Sequence, residues 1–143
     1  MSSLPRVQLA INVSDVDAAV DFYSRLFGAE PHKRRPGYAN FALDAPPLKL
    51  VLIENAAAAG SLNHLGVEVA NTAGVSEAQQ RIADAGLEAT EEADVVCCFA
   101  RQDKVWATDP DGAGWEFYTV TDDAPELALA TANVSGESAC CSG

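Results

Sequence analysis

The stretch that decides the fold is QLAINVSDVDAAVDFYSRLFGAEP, residues 8–31, because its pattern returns in HLGVEVANTAGVSEAQQRIADAGLEA, residues 64–89. Each copy opens with a polar residue and a short alternating segment, continues as a helical pattern and reaches a glycine, Gly28 or Gly86. The copies are offset by 56 residues at their starts and by 58 at these glycines, so the second copy holds a two-residue insertion. An internal repeat of this length indicates two copies of one supersecondary unit.

Hydrophobic periodicity and turn residues place the elements of each copy. The first copy predicts a strand at about 6–13, a helix at about 15–27 capped by Ser14, and strands near 30–35, 38–44 and 48–54. The second predicts a strand at about 63–69, a helix at about 73–85, and strands near 88–91, 97–107 and 114–120, with DPDG at 109–112 as the last turn.

We therefore predict an α+β fold in which two βαβββ modules, residues 1–60 and 61–120, pair around a shared groove. Each module has one helix to cover one face of its sheet, so the second face of each sheet must be covered by the other module. The polar, alanine-rich residues 121–143 are expected to form a flexible tail.

The composition excludes several classes of partner. The 143 residues include 48% apolar residues, enough for a core, and carry a formal net charge of −12, which disfavours nucleic acid and anionic membranes. The chain has no run of about 18 apolar residues and no secretory signal, so we expect a cytoplasmic protein. The one basic cluster, HKRRPG at 32–37, is interpreted as a solvated turn. Nothing in the sequence sets an oligomeric state.

The four cysteines form two adjacent pairs, Cys97–Cys98 and Cys140–Cys141. Neighbouring cysteines can bridge only through a strained ring, so this is a poor disulfide framework. In a reducing cytosol the thiols stay free, and adjacent free thiols favour a soft-ligand or redox pair. The second pair lies in the expected tail, where it either captures thiophilic metals or has no role.

Three polar residues occupy corresponding strand positions. Side chains alternate across a strand, so Gln8 lies opposite the apolar face of its strand, and His64 and Glu116 do the same in theirs. If the repeat relates the modules, these three faces line one groove. A histidine and a carboxylate on facing strands are typical ligands of a first-row divalent metal, and Gln8 adds a neutral oxygen. Taken singly, each residue is more commonly a hydrogen-bonded or salt-bridged surface residue.

These features resemble a known superfamily. The paired βαβββ pattern, DFYSRLFG at 21–28, the histidine that opens the second module, and DPDGAGWEFY at 109–118 resemble the vicinal oxygen chelate superfamily, which includes glyoxalases and extradiol dioxygenases. The resemblance covers about residues 5–120. Cys97–Cys98 ahead of that last segment, with a Cys-Cys tail, is similar to the branch of cadmium-induced proteins and organoarsenical carbon–arsenic lyases.

The resemblance implies an enzyme that uses non-haem Fe(II) and O2 to cleave trivalent organoarsenicals such as methylarsonous acid to arsenite, with Ni or Co as substitute metals. It implies metal ligands at Gln8, His64 and Glu116, and catalytic, substrate-binding thiols at Cys97 and Cys98. Gln8 departs from the usual iron site of two histidines and one carboxylate. Glyoxalases use a further ligand where this chain has Glu54, which we interpret as a strand-end residue.

The thiol pair suits trivalent arsenic because soft thiolates displace its two hydroxyls and form a chelate. Arg101 and Lys104 are near in sequence and are expected to lower the thiol pKa. Adjacent strand residues point to opposite faces, so both thiols can reach one arsenic only at a loop or bulge. Residues 99–112 are interpreted as a lid with its turn at Asp103-Lys104.

Three other functions stay open. A non-enzymatic cadmium- or arsenic-binding protein would bind through its thiols without turnover. A glyoxalase-like lyase or isomerase would use the same groove without O2 and without Cys97 or Cys98. A drug-binding module of the same fold would need a wide aromatic groove, whereas this chain has two Trp and three Tyr.

Overall fold

The computed structural model describes residues 4–97 and 99–123, with the side chain of Cys97 left out. The strands are β1 (Arg6–Val13), β2 (Lys33–Arg35), β3 (Tyr38–Asp44), β4 (Pro47–Glu54), β5 (Leu62–Glu68), β6 (Thr90–Cys97), β7 (Ala100–Thr108) and β8 (Gly114–Asp123). The helices are α1 (Val16–Phe27) and α2 (Thr72–Asp84), and a short 3-10 turn spans Ala56–Ala58. In this part of the chain neither helix has the length and apolar composition to cross a bilayer.

All eight strands belong to one mixed sheet in the order β2-β3-β4-β1-β5-β8-β7-β6. The two βαβββ halves meet where β1 pairs antiparallel with β5, so the predicted α+β fold of two repeated modules is confirmed. The sheet curls until its ends approach: Lys33 of β2 donates from Nζ to the carbonyl oxygen of Phe99, 2.7 Å away beside β7. The polar face of the sheet therefore becomes the inside of a half-barrel.

Helix α1 covers the outer face of the first half. It begins with an Asp15 N-cap, whose carboxylate accepts from two backbone amides, so the cap is one residue later than the predicted Ser14. Gly28 ends the helix with φ 63°, a left-handed conformation that glycine adopts without a steric penalty. The apolar face of α1, with Val16 and Val20, packs on residues of β3 and β4, including Phe41 and Leu52.

Helix α2 covers the second half in the same way. Asn71 caps its first turn by accepting from the amide of Gly74. Its buried face contains Val75, Ala78 and Ile82, which pack against Val105. The two helices thus lie on the outer surface of the sheet and leave its concave face to other side chains.

Strand β1 shows how the curl changes burial. Its apolar face, directed to α1, is only half-buried, and Val7 is 45% exposed. Its polar face is almost completely enclosed, with Arg6 9%, Gln8 4% and Asn12 4% exposed. Alternation in the sequence predicts the two faces correctly, but only closure of the sheet decides that the polar face is the drier one.

Three element boundaries differ from the predictions. The expected short strand at 88–91 is the longer β6, which ends at Cys97. Residues 100–108 form β7, an interior strand between β6 and β8, so the predicted lid with a turn at Asp103-Lys104 is wrong. Strand β8 continues to Asp123, and the remaining tail with Cys140 and Cys141 lies outside the described residues.

Candidate metal centre

Three polar side chains from adjacent strands meet on the concave face. Gln8 lies on β1, His64 on β5 and Glu116 on β8, and each is less than 5% exposed. Gln8 Nε2 donates to Glu116 Oε2 at 2.6 Å and lies 3.2 Å from His64 Nε2, which is 3.0 Å from Glu116 Oε2. The structure therefore brings together the three residues named as metal ligands from the sequence.

The strand register explains this convergence. Gly66 of β5 is the register partner of Gln8 on one side and of Glu116 on the other, and His64 lies two residues along the same face. A Cβ atom at Gly66 would lie 2.8 Å from the carbonyl oxygen of Glu116 and 3.3 Å from Gln8 Nε2. Because real side chains avoid such contacts, only glycine lets the three side chains approach each other here.

The Glu116 carboxylate has two distinct oxygens. Oε2 faces Gln8 and His64, while Oε1 lies 2.8 Å from the ammonium of Lys104, which is completely buried. Burial opposes ionisation, but the ion pair with Lys104 and the contact with His64 hold the pKa of Glu116 well below its usual value. The carboxylate is therefore anionic at neutral pH, with Oε2 turned toward the other two residues.

Neighbouring hydrogen bonds orient the other two side chains. The hydroxyl of Tyr118 donates to Gln8 Oε1 at 2.5 Å, and burial raises the pKa of this phenol well above its usual value. His64 Nδ1 lies 2.8 Å from Asn63 Oδ1. When Nδ1 donates to that amide oxygen, Nε2 carries the lone pair and points toward Gln8 and Glu116, the tautomer that a metal requires.

The geometry fits a divalent metal ion with one adjustment. Donors about 2.1 Å from a metal and at right angles to each other lie about 3 Å apart, close to the spacing of these three tips. A half-turn of the Gln8 amide would direct Oε1 to the ion and let Nε2 donate to Tyr118. Within residues 4–97 and 99–123 no group of three or more His, Cys, Asp or Glu could hold a metal, so the candidate site depends on Gln8.

Of the predicted thiol pair, the structure places the backbone of Cys97 at the end of β6, which forms a hairpin with β7. Cys97 ends β6 and pairs in register with Ala100 of β7, while Cys98 lies outside the described residues. Phe99 has φ 63°, is 7% exposed, and packs on Tyr38 with ring centroids 5.3 Å apart. Both thiols can reach one arsenic atom only at a loop or bulge, and the chain passes from β6 to β7 between Cys97 and Ala100.

The two cations expected to activate the thiols are used elsewhere. Lys104 pairs with Glu116 at the centre of the fold, and Arg101 pairs with Asp94 at 3.2 Å on an exposed face. The side chain of Lys104 enters the concave face, and an effect of either cation on the thiol pKa stays a prediction. Glu54 is also separate from the three residues: its Oε1 accepts from the amide of Val16, at the start of α1.

A partly open cavity of about 110 Å³ adjoins the three residues. Its lining includes Glu68 and also Ala100, the register partner of Cys97 in the β6–β7 hairpin, which we call the thiol hairpin. Four basic side chains of the first half also line it: Arg6, His32, Lys33 and Lys49. The predicted solvated turn at 32–37 is correct only in part: His32, Arg34 and Pro36 are exposed, but Lys33 lies in β2 and has a side chain only 15% exposed. Closure of the sheet covers most of the Lys33 side chain, whereas His32 borders the cavity and stays exposed.

Sequence reasoning missed several residues that shape this region. Lys49 is a single cation inside the largely apolar β4, a pattern that signals either a buried ion pair or a site. Lys104 lies in the polar run RQDK of β7, where no such pattern marks it. Tyr118 shares a face with Glu116, but no local pattern indicates its bond to Gln8. Gly66 shares a face with His64, and only the strand register shows why a side chain cannot fit there.

The fold defines the class of protein: two repeated βαβββ halves, joined through β1 and β5, enclose a polar groove. The chain belongs to the Glyoxalase/Bleomycin resistance protein/Dioxygenase superfamily, whose sequence pattern it matches over residues 6–117.

Two relatives are similar along most of the chain. It is 58% identical to the cadmium-induced protein CadI of Mycobacterium tuberculosis over 121 residues, which cover 85% of this chain and 80% of that protein. It is 54% identical to a trivalent organoarsenical cleaving enzyme of Thermomonospora curvata over 139 residues, covering 96% of this chain and 89% of that protein. Among solved structures, the Mn(II)-bound glyoxalase from Novosphingobium aromaticivorans is similar in fold, with a TM-score of 0.59, 19% identity, and coverage of 92% of this chain and 44% of that one.

Proposed function

We propose that this protein is an Fe(II)- and O2-dependent enzyme that cleaves the carbon–arsenic bond of trivalent organoarsenicals, such as methylarsonous acid, and yields arsenite. The 54% identity to a trivalent organoarsenical cleaving enzyme supports the reaction. The observation that carries the proposal is the meeting of Gln8, His64 and Glu116, whose tips lie within 3.2 Å of each other. Ni or Co would occupy the same ligands as substitutes.

In this proposal the thiols of Cys97 and Cys98 bind the substrate. Two thiolates displace the two hydroxyls of an organoarsenous acid, and the second bond forms readily because it is intramolecular. Ala100, the register partner of Cys97, lines the cavity beside the three ligands, so the hairpin can present arsenic to that cavity. Free thiols require a reducing compartment, which places the reaction in the cytoplasm.

Gln8 Oε1, His64 Nε2 and Glu116 Oε2 would hold the metal. Iron(II), when bound, supplies the redox chemistry with dioxygen that no side chain can supply. Tyr118 and Asn63 fix the orientation of two ligands, and Lys104 fixes the third by its ion pair with Glu116 Oε1. The walls of the cavity would limit water around the arsenical, and a metal held by three protein ligands would keep positions for other donors.

Anaerobic reconstitution tests the proposal. Apoprotein is loaded with Fe(II), mixed with methylarsonous acid, and divided between air and nitrogen, and arsenite is measured by chromatography with elemental detection. Arsenite should form only with both iron and air, and Cys97→Ser and Glu116→Ala should each abolish it. Arg25→Met, at an exposed surface ion pair with Asp21, is the control and should retain full turnover.

A second function, sequestration of cadmium or arsenic without turnover, is favoured by the 58% identity to the cadmium-induced protein. It predicts stoichiometric binding of Cd(II) that depends on the thiols and is indifferent to Glu116→Ala. Turnover of methylarsonous acid beyond one equivalent would contradict it. A glyoxalase-like activity would proceed under nitrogen and would survive Cys97→Ser.

A further inference from the structure

The cavity beside the candidate metal centre contains a buried ammonium group that lacks a matching anion. Lys49 is 7% exposed, and among the described residues its Nζ contacts the Glu68 carboxylate and, at 5.8 Å from the centroid, the ring of Tyr118. The nearest carboxylate oxygen, Glu68 Oε1, is 3.8 Å away, beyond hydrogen-bond distance. That same oxygen accepts from Arg6 Nε at 3.0 Å, so two buried cations share one carboxylate.

The remaining carboxylates do not restore the balance. Glu116 is already paired with Lys104 at 2.8 Å, and Asp44, 3.8 Å from Arg6, has a side chain 62% exposed to solvent. Lys33 adds a further cation to the cavity wall, although it is paired with Asp123. The inside of the cavity is therefore positive in a chain whose net charge is −12.

Two titrating groups respond to this positive field. The pKa of His32 is lowered by burial and then by the charges of Lys49 and Lys33. Burial is also the main cause that lowers the pKa of Lys49, and Arg6 lowers it further against the opposing effect of Glu68. An anion placed beside Lys49 would relieve both the lost hydration and the repulsion.

The register places this cation next to the candidate metal centre. Lys49 of β4 is the partner of Gln8 in β1, and adjacent strands are about 4.8 Å apart. Ala100, next to the thiol hairpin, lines the same cavity. The organic group of an arsenical that occupies this cavity would therefore share it with Lys49.

We propose that this cavity is a subsite for a single negative charge on the organic group of the arsenical, such as a ring carboxylate, bound by the ammonium of Lys49. Arg6 and Lys33 strengthen the attraction by their positive potential. This inference rests on the proposed arsenical-cleaving function and adds a substrate class to it: aryl arsenicals with an anionic substituent, preferred over neutral ones. A charge-assisted hydrogen bond in a dry site accounts for the preference.

Direct binding tests the subsite without turnover. Benzoate is titrated calorimetrically into metal-free protein in a low-chloride buffer. We expect saturable binding that weakens about 10- to 100-fold in Lys49→Met, the range of a hydrogen bond to a charged group, with partial recovery in Lys49→Arg. Lys49→Met leaves Arg6 and Glu68 as a matched pair, so the fold is expected to persist, and circular dichroism verifies this. The charge-matched control Arg25→Met, whose side chain is 75% exposed, should bind benzoate as the wild type does.

Turnover measurements then test whether the anion bound by Lys49 is part of the substrate. The ratio of kcat/KM for 4-carboxyphenylarsonous acid to that for phenylarsonous acid should fall about 10- to 100-fold in Lys49→Met and stay unchanged in Arg25→Met. Equal benzoate affinity in wild type and Lys49→Met would overturn the anion subsite, and an unchanged ratio would overturn its use for substrate. If neither arsenical is cleaved by wild type, the proposed function fails and the substrate role fails with it, while the benzoate titration still decides the anion site.

Discussion

The ammonium of Lys104 lies 2.8 Å from Oε1 of Glu116, and both side chains are sealed in the sheet, at 0% and 4% exposure. The contact uses only one carboxylate oxygen and leaves Oε2 for Gln8 and His64. An anionic ligand at the centre of a fold would be costly without this cation. The pair therefore keeps Glu116 ionised, so a metal ion could bind the carboxylate without first displacing a proton.

Removing the cation alone should be severe. Lys104→Met leaves Glu116 buried and uncompensated, which costs about 3–5 kcal/mol in the free energy of unfolding. The double variant Lys104→Met/Glu116→Gln should recover much of this loss because no charge remains unpaired. Urea denaturation of the metal-free proteins measures both values, and additive losses in the double variant would contradict a coupled pair.

The same carboxylate should dominate acid unfolding. Its pKa is lowered in the folded protein, so the folded state binds fewer protons than the unfolded state as the pH falls. Stability from Glu116 is complete above about pH 5 and should decline below the unfolded value of 4.5. Thermal unfolding followed from pH 7 to pH 3 should show a smaller decline in Glu116→Gln. A parallel decline in both proteins would assign acid sensitivity to other groups.

Gly66 should tolerate no side chain. In Gly66→Ala the new methyl meets the backbone and side chain of Glu116, so we expect a loss of about 1–3 kcal/mol and weaker metal binding. Gly114→Ala, in the same strand as Glu116, is the matched control because its nearest contact is the ring of Trp106 at 3.3 Å. Anaerobic titration with Co(II), followed by its visible absorption, compares the two. Equal Co(II) affinities would show that Gly66 does not set the approach of the ligands.

Tyr118 should act by positioning Gln8. Loss of the 2.5 Å hydrogen bond in Tyr118→Phe frees the amide, and removal of such a supporting bond weakens metal affinity by about 10- to 100-fold. Tyr23→Phe, on the helix outside the sheet, should leave the affinity unchanged. The comparison uses Co(II) calorimetry, and the unfolding free energy of each variant separates positioning from stability. An unchanged Co(II) affinity in Tyr118→Phe would refute the assignment.

Lys33 should restrain the thiol hairpin, because its ammonium donates to the carbonyl of Phe99 at 2.7 Å and also pairs with Asp123. In Lys33→Met the hairpin loses a charge-assisted hydrogen bond, so we expect the thiols to react about tenfold faster with a disulfide reagent. The experiment uses a Cys140→Ser/Cys141→Ser background so that only Cys97 and Cys98 respond. Arg34→Met is the control: it removes the charge of the next residue, whose side chain pairs with Asp17, and should leave the reaction rate unchanged. Equal rates in both variants would contradict the restraint.

Local patterns predicted the elements well, since strand alternation and helix periodicity are properties of neighbouring residues. They placed both helices within about two residues and identified the faces that carry Gln8, His64 and Glu116. The strand predicted near 97–107 corresponds to β7, but the turn predicted within it at Asp103-Lys104 is wrong. In β7 the buried polar residues Gln102 and Lys104 alternate with Arg101 and Asp103, which are more exposed. Only the sheet order shows that this strand closes the interior.

The sequence by itself determined the repeat, the α+β class and the residues that could bind a metal, because these follow from short-range periodicity and from side-chain chemistry. Tertiary structure decided which polar residues became dry. Lys104 paired with Glu116, the Lys33 side chain lined the cavity, and Lys49 was left only 7% exposed, since the curl of an eight-stranded sheet brings together strands far apart in sequence. The free energy of a charge depends on the water and counter-charges around it, and only the closed sheet specifies both.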